Sequence, residues 1–139
     1  MNARQAREDE LSTCLAIRRE VFIEEQAVPE HDEVDGLDPT CAHFIAHIDG
    51  EAAGAARMRV VDGHAKMERV AVRAKFRGRK LGDALMDAME AHARELGHRD
   101  AVLSAQVQVI PFYEKRGWIA EGPLFMDAGI AHRAMRKAL

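Results

Sequence analysis

The most restrictive feature of the chain lies between residues 66 and 107. Lys66–Val72 is a short strand-like segment with β-branched Val70 and Val72, and residues 73–80 (RAKFRGRK) hold five bases and no acid. Residues 80–96 then place Leu81, Leu85, Ala88, Met89, His92 and Leu96 at helical spacing, with Asp83, Asp87, Glu90 and Arg94 opposite. Gly97 is the residue that stops such a helix, and Ala101–Val107 is again apolar. Strand, helix and strand in this order predict a β-α-β crossover, so segments 66–72 and 101–107 are expected to be parallel neighbours in one sheet.

The rest of the chain builds around that unit. Residues 8–23 read as an amphipathic helix, with Leu11, Leu15, Arg18 and Phe22 on one face and Cys14 and Val21 alongside. Segment 24–38 contains Pro29 and Gly36, lacks a period, and reads as a loop with a short helical turn. Strands over 43–48, 52–61 and 66–72 are joined by Asp49-Gly50 and Asp62-Gly63, both hairpin signals. Pro111 opens a short helix that ends at Gly117, and 118–125 and 130–136 form two last strands. The expected fold class is α/β, a mixed sheet in a single domain over residues 1–139, without repeats or linkers.

Composition sets the class of protein. With 139 residues, 47% hydrophobic and 31% charged, the chain is an ordinary globular domain that needs no metal or disulfide staple. No uncharged run approaches the roughly 20 residues that span a bilayer, and MNARQAREDE carries no apolar leader core. A cytoplasmic protein with no membrane partner is expected, and Cys14 and Cys41, lacking CxxC spacing, read as reduced packed thiols. The net charge of -3 hides two opposite fields, because residues 24–38 carry seven acids and no Lys or Arg. That balance, with no interleaved aromatics, argues against a nucleic-acid partner.

The chemistry concentrates in two places. After Val70-Ala71-Val72, the loop Arg77-Gly78-Arg79-Lys80-Leu81-Gly82 opens a helix, which is the arrangement of an anion site: free N–H groups and the positive end of the helix dipole point at one spot. Neither GxxxxGK[ST] nor GxGxxG is present, so neither a triphosphatase loop nor a dinucleotide fold is indicated. The second place is Phe112-Tyr113-Glu114-Lys115-Arg116-Gly117-Trp118, which holds the only tyrosine of the chain. A phenol near a site is a proton donor to a leaving group; a core tyrosine with a bonded hydroxyl is the other reading. His43 and His47 share a strand face but have no third ligand nearby in sequence, so no metal is expected.

Together, loop and helix resemble the GNAT N-acetyltransferase superfamily. Arg77 and Gly82 match the ends of its [Q/R]-x-x-G-x-[G/A] loop, and residues 112–118 match its later helix motif in full. Segments 19–30 (REVFIEEQAVPE), 66–72 (KMERVAV) and 125–132 (FMDAGIAH) further resemble the ElaA/YjcF-like branch, so the likeness runs over nearly the whole chain. One position departs: the usual glycine at the fourth loop position is Lys80.

The resemblance implies a central β-α-β unit whose parallel strands splay to admit acetyl-coenzyme A as co-substrate. The backbone of Val70, Ala71 and Val72 would pair with the pantetheine arm, and the N–H groups from Arg77 through Gly78, Arg79, Lys80 and Leu81 to Gly82 would take the pyrophosphate. Gln106 and Phe112 are implied in cofactor contact, Tyr113 as the acid that protonates the thiolate, and Glu68 as the base toward the acceptor. Pairing of Glu68 with Arg57 or Arg69 is the alternative. His132 sits in a segment that could face the acceptor. The implied activity is direct transfer of acetyl to a primary amine of a small acceptor, and dimers are frequent in the family. The acidic run 24–38, beside the acceptor cleft in that family, favours a cationic amine. The competing reading is a non-catalytic acyl-coenzyme A-binding or sensing module on the same fold.

Overall fold

The computed structural model describes residues 2–139. Seven strands form one sheet: β1 (Asn2–Gln5), β2 (Ala42–Ile48), β3 (Glu51–Val61), β4 (His64–Val72), β5 (Asp100–Gln106), β6 (Ile119–Asp127) and β7 (Ile130–Ala138). Their spatial order is β1-β2-β3-β4-β5-β7-β6. Only β4 and β5 run parallel, as the crossover predicts. The hairpins turn at Asp49-Gly50 and Asp62-Gly63, where all four residues have positive φ between 51° and 80°. That geometry is why Asp-Gly serves there.

The crossover helix α3 (Leu81–Glu95) lies on one face of the sheet. It buries Leu81, Leu85, Met86, Met89 and Ala93 against Phe44, Met58, Met67 and Leu103. Truncating one such side chain, Leu85 for example, would cost about 2–5 kcal/mol. Glu90 was expected on the solvent side of this helix but is 3% exposed. It accepts hydrogen bonds from Lys137 Nζ at 2.7 Å and Arg116 Nη2 at 3.1 Å, and these partners compensate the buried charge.

The opposite face is covered by α1 (Leu11–Arg18), which continues as a π-helical segment, Arg19–Glu25. Its buried stripe is Cys14, Ile17, Arg18 and Val21, whereas Leu15, expected inside, is 36% exposed. The buried stripe keeps Arg18, which meets Glu33 and Asp38, and takes in Ile17 in place of Leu15. The short helix α2 (Glu30–Glu33) is the single turn expected within the acidic segment, and α4 (Ile110–Lys115) follows β5. Strand β1 was not foreseen: its polar NARQ has no strand pattern, and its conformation comes from pairing with β2, Asn2 opposite His47 through Gln5 opposite Phe44. No helix among the described residues is long and apolar enough to cross a membrane.

Two irregularities create an opening at the centre of the sheet. β4 and β5 pair only through Ala65–Ala101, Lys66–Val102 and Met67–Leu103. Beyond that point β4 stays with β3 and β5 stays with β7, so the two parallel strands diverge. The register between β3 and β4 also shifts, from Arg57 opposite Glu68 to Ala55 opposite Ala71, leaving one extra residue on β4. Arg69 sits in that bulge with φ 58°. A bulge bends and twists its strand, here at the point where β4 leaves β5.

Candidate active site

The divergence opens a cleft of about 350 Å³. Val70 and Val72 of β4 form one wall and Ser104 and Gln106 of β5 the other. Phe112 and Tyr113 of α4, with Gly82 of α3, close it at the α3 face. Phe22 and Gln26, four residues apart and carried by or just after the π-helical segment, line it from the α1 side. Gln106 Nε2 donates to Gln26 Oε1 at 2.9 Å, so this contact joins the end of that segment to β5. Asp32 and Glu33 of α2, with Asp127 and His132 of β6 and β7, line the remaining side. Of the residues singled out in the sequence, the cleft brings together Glu68, Val70, Val72, Gly82, Gln106, Phe112, Tyr113 and His132. Phe22, Gln26, Ser104 and Asp127 were not foreseen as lining residues.

At one end the cleft meets the N-terminus of α3. Lys80 is the cap residue, in the left-handed conformation with φ 61°, and no side chain caps the helix. That conformation explains why a glycine suits this position and what Lys80 costs, roughly 1–2 kcal/mol. Among the described residues, the N–H groups from Gly78 to Asp83 donate to no backbone carbonyl; the first bond of the helix is Ala84 N–H to Lys80 O. Unbonded N–H groups at the positive end of a helix dipole are an arrangement that suits an anion. Arg77 departs from expectation. Its N–H donates to Ala74 O at 3.3 Å, and its guanidinium grips Glu25 at 2.5 and 2.7 Å. Ala71 and Leu81 are 1% exposed and offer only backbone. Gly82 is bare for a steric reason, since a Cβ there would lie 3.3 Å from Phe112 Cζ.

Tyr113 lines the cleft and is 9% exposed. Phe112 and Trp118 pack against it edge-on, at centroid distances of 5.0 and 6.2 Å. Burial pushes its phenol up to about 12, so the hydroxyl keeps its proton at any physiological pH. Cys14 offers no competing chemistry, because burial raises its thiol to about 11.

Glu68 is surrounded by cations. Its Oε1 accepts from Arg59 Nε at 2.8 Å and from Arg57 Nε at 3.1 Å, and Lys66 Nζ lies 3.5 Å from Oε2. Burial alone would raise its pKa, but the Arg59 hydrogen bond and the charges of Arg57 and Lys66 outweigh it and hold the carboxyl below its ordinary range. A carboxylate held in this way is a weak proton acceptor.

The acidic run is likewise engaged. Five of its seven carboxylates meet arginines: Glu25 with Arg77, Glu30 with Arg19, Glu33 with Arg18 and Arg69, Asp35 with Arg57 and Arg69, and Asp38 with Arg18 and Arg57. The field expected to draw a cationic acceptor is therefore largely neutralised from within. Of the run, only Glu24 and Asp32 lack an arginine among the described residues, and Asp32 lines the cleft.

Comparison with known proteins agrees with this geometry. The family model for the acetyltransferase (GNAT) domain matches residues 3–139. The chain is 37% identical over 131 residues to YjcF of Bacillus subtilis strain 168, named as an uncharacterised N-acetyltransferase, covering 94% of each chain. Among solved structures it resembles an acyl-CoA N-acyltransferase from Pseudomonas aeruginosa, with TM-score 0.85, 30% identity and coverage of 99% and 98%. It also resembles Escherichia coli ElaA, with TM-score 0.83, 26% identity and coverage of 98% and 97%. With its splayed parallel strands, uncapped α3 terminus and match over nearly the full length, the chain belongs to the GNAT family of N-acetyltransferases, in the branch that holds YjcF and ElaA.

Proposed function

We propose that the protein moves an acetyl group from acetyl-coenzyme A to a primary amine of a small acceptor by direct attack, without an acyl-enzyme. The observation that carries this reading is the meeting, in one cleft, of the β4 edge that β5 has left, the N-terminus of α3 at Gly82 and a buried protonated phenol. Acetyl-coenzyme A supplies an activated thioester. Val70 and Val72 would pair with its pantetheine arm as an added strand. The N–H groups of Gly78–Asp83 would hold its pyrophosphate, and a backbone N–H freed at the Arg69 bulge would polarise the thioester carbonyl. As the amine nitrogen bonds to the carbonyl carbon and the C–S bond breaks, Tyr113 would give its hydroxyl proton to the sulfur. Of the two readings of Glu68, its three cations support the anchoring one: it fixes Arg57 and Arg59 beneath the acceptor side, and the ammonium proton leaves through water.

A pure binding module would need the cleft but not Tyr113 with its unbonded hydroxyl. Thiol release from acetyl-coenzyme A against a panel of amines tests the proposal, with coenzyme A-induced stabilisation as the control for binding. Release that requires both protein and amine is expected. At 100 times Kd, linkage predicts stabilisation of roughly 2.7 kcal/mol. A melting curve unmoved by millimolar coenzyme A would remove the donor and with it the activity. A shifted curve with no release from any amine would leave the binding module.

A further inference from the structure

Resting on that reading of the donor cleft, we propose that Arg69 is the positioning residue that holds the acceptor side of the cleft in register with the donor strand. Its backbone and its side chain do different things. The backbone makes the β4 bulge, in a left-handed conformation that an arginine adopts only where its surroundings enforce it. The side chain leaves the bulge and reaches α2. Nη2 donates to Asp32 O at 3.1 Å and approaches Glu33 O at 3.5 Å. Nε lies 2.7 Å from Glu33 Oε2, and Nη2 lies 3.5 Å from Asp35 Oδ2.

This contact matters because α2 is a four-residue turn, far too short to be stable by itself. The guanidinium meets the last carbonyls of that turn, which have no intrahelical donor. Arg18 and Arg57 also grip Glu33, Asp35 and Asp38, but they belong to α1 and β3. Of the three arginines in this network, Arg69 is the one that lines the cleft, as do Asp32 and Glu33. Pairing of β4 backbone with the donor would fix the bulge, and through Arg69 it would fix α2. Donor binding would thereby set the acceptor wall before the amine arrives.

The test uses hydrogen exchange of amides 30–36 with and without coenzyme A, alongside the melting shift, in wild type, Arg69→Gly and Arg69→Lys. Glycine accepts the left-handed φ freely, so that variant removes the side chain and spares the bulge. In wild type, coenzyme A should slow exchange at 30–36 by about ten-fold, within the usual range of coupling between sites. In Arg69→Gly the melting shift should persist while this ligand-dependent slowing disappears, and Arg69→Lys should restore part of it. A merely structural arginine would raise exchange equally in both states. Wild type that shifts its melting point without slowing exchange at 30–36, or Arg69→Gly that keeps the slowing, overturns the proposal while leaving the donor intact. No melting shift in wild type overturns both. Should Arg69→Gly fail to fold, the wild-type arm and Arg69→Lys, expected to show reduced but measurable slowing, still decide.

Discussion

Arg18 of α1 and Arg57 of β3 meet on one atom: Asp38 Oδ1 accepts from Nη1 of the first at 2.8 Å and from Nη1 of the second at 3.0 Å. Both arginines have no exposed surface. The pairs close into a ring of alternating sign, Arg18–Glu33–Arg69–Asp35–Arg57–Asp38. Arginine does not give up its proton in a protein, and Asp35 and Asp38, facing Arg57 and Arg18, are held below the ordinary carboxylate range. It fastens the acidic segment to the sheet and thereby builds one side of the cleft.

Asp38→Asn follows as the sharpest stability test. The amide keeps the shape but leaves two buried guanidinium groups short of one negative charge. Breaking a buried pair from one side costs about 3–5 kcal/mol, and denaturant unfolding of both proteins measures it. A loss below about 1 kcal/mol, the range of exposed pairs, would mean that solvent reaches the ring.

Acid should attack the same place. The Arg57 hydrogen bond lowers the pKa of Asp35 despite partial burial, and for Asp38 burial acts to raise the pKa but is outweighed by Arg18 and Arg57. With folded values below unfolded ones, this stabilisation is complete above the unfolded aspartate value of about 3.9 and is lost as pH falls through the folded values. Melting temperature should therefore drop steeply below about pH 4, and less steeply in Asp35→Asn, where one such group is gone. Parallel curves for the two proteins would contradict the assignment.

These partnerships also mark where sequence stops being informative. The crossover is legible because its helix has a clean period and its strands carry β-branched residues, and the loop that opens α3 is legible because glycine and bases sit between them. Local patterns show that 24–38 is acidic but not that Arg18, Arg57 and Arg69 will face it from three other elements. The same blindness hid the rotation of α1, whose buried stripe takes in Ile17 in place of Leu15. It hid Glu90 as well, which takes its cations from α4's end and β7. Strand β1 has no pattern of its own. Phe22 and Gln26 carry a spacing of four that could have been noticed, but the face they share is set by a π-helical segment that no local pattern announces.

At the donor end, Gly82→Asp should abolish the coenzyme A-induced melting shift. It places a carboxylate among the N–H groups proposed to take the pyrophosphate and drives a Cβ to within 3.3 Å of Phe112. Gly82→Ala separates the two effects: the ring must yield by a few tenths of an ångström, but no charge is added. The alanine variant should retain a reduced shift. Equal loss in both would make crowding at Phe112 the whole effect.

Tyr113→Phe isolates the proposed proton donor. The ring stays in its edge-on packing with Phe112 and Trp118, and only the hydroxyl is lost. Turnover should fall roughly 10²–10⁴-fold while the coenzyme A-induced melting shift is unchanged, the pattern of an interaction used only in the transition state. The pH profile adds a second constraint. A donor must be protonated to act, and burial pushes this phenol up to about 12, so its loss of activity on deprotonation lies above the usual assay range. The wild-type rate should show no alkaline decline assignable to Tyr113 through about pH 10, two units below that value. An alkaline limb near neutrality that vanishes in Tyr113→Phe would mean that the bound thioester environment, not burial, sets its proton affinity. Near-full turnover in the phenylalanine variant would mean that water protonates the sulfur and that Tyr113 serves the core alone.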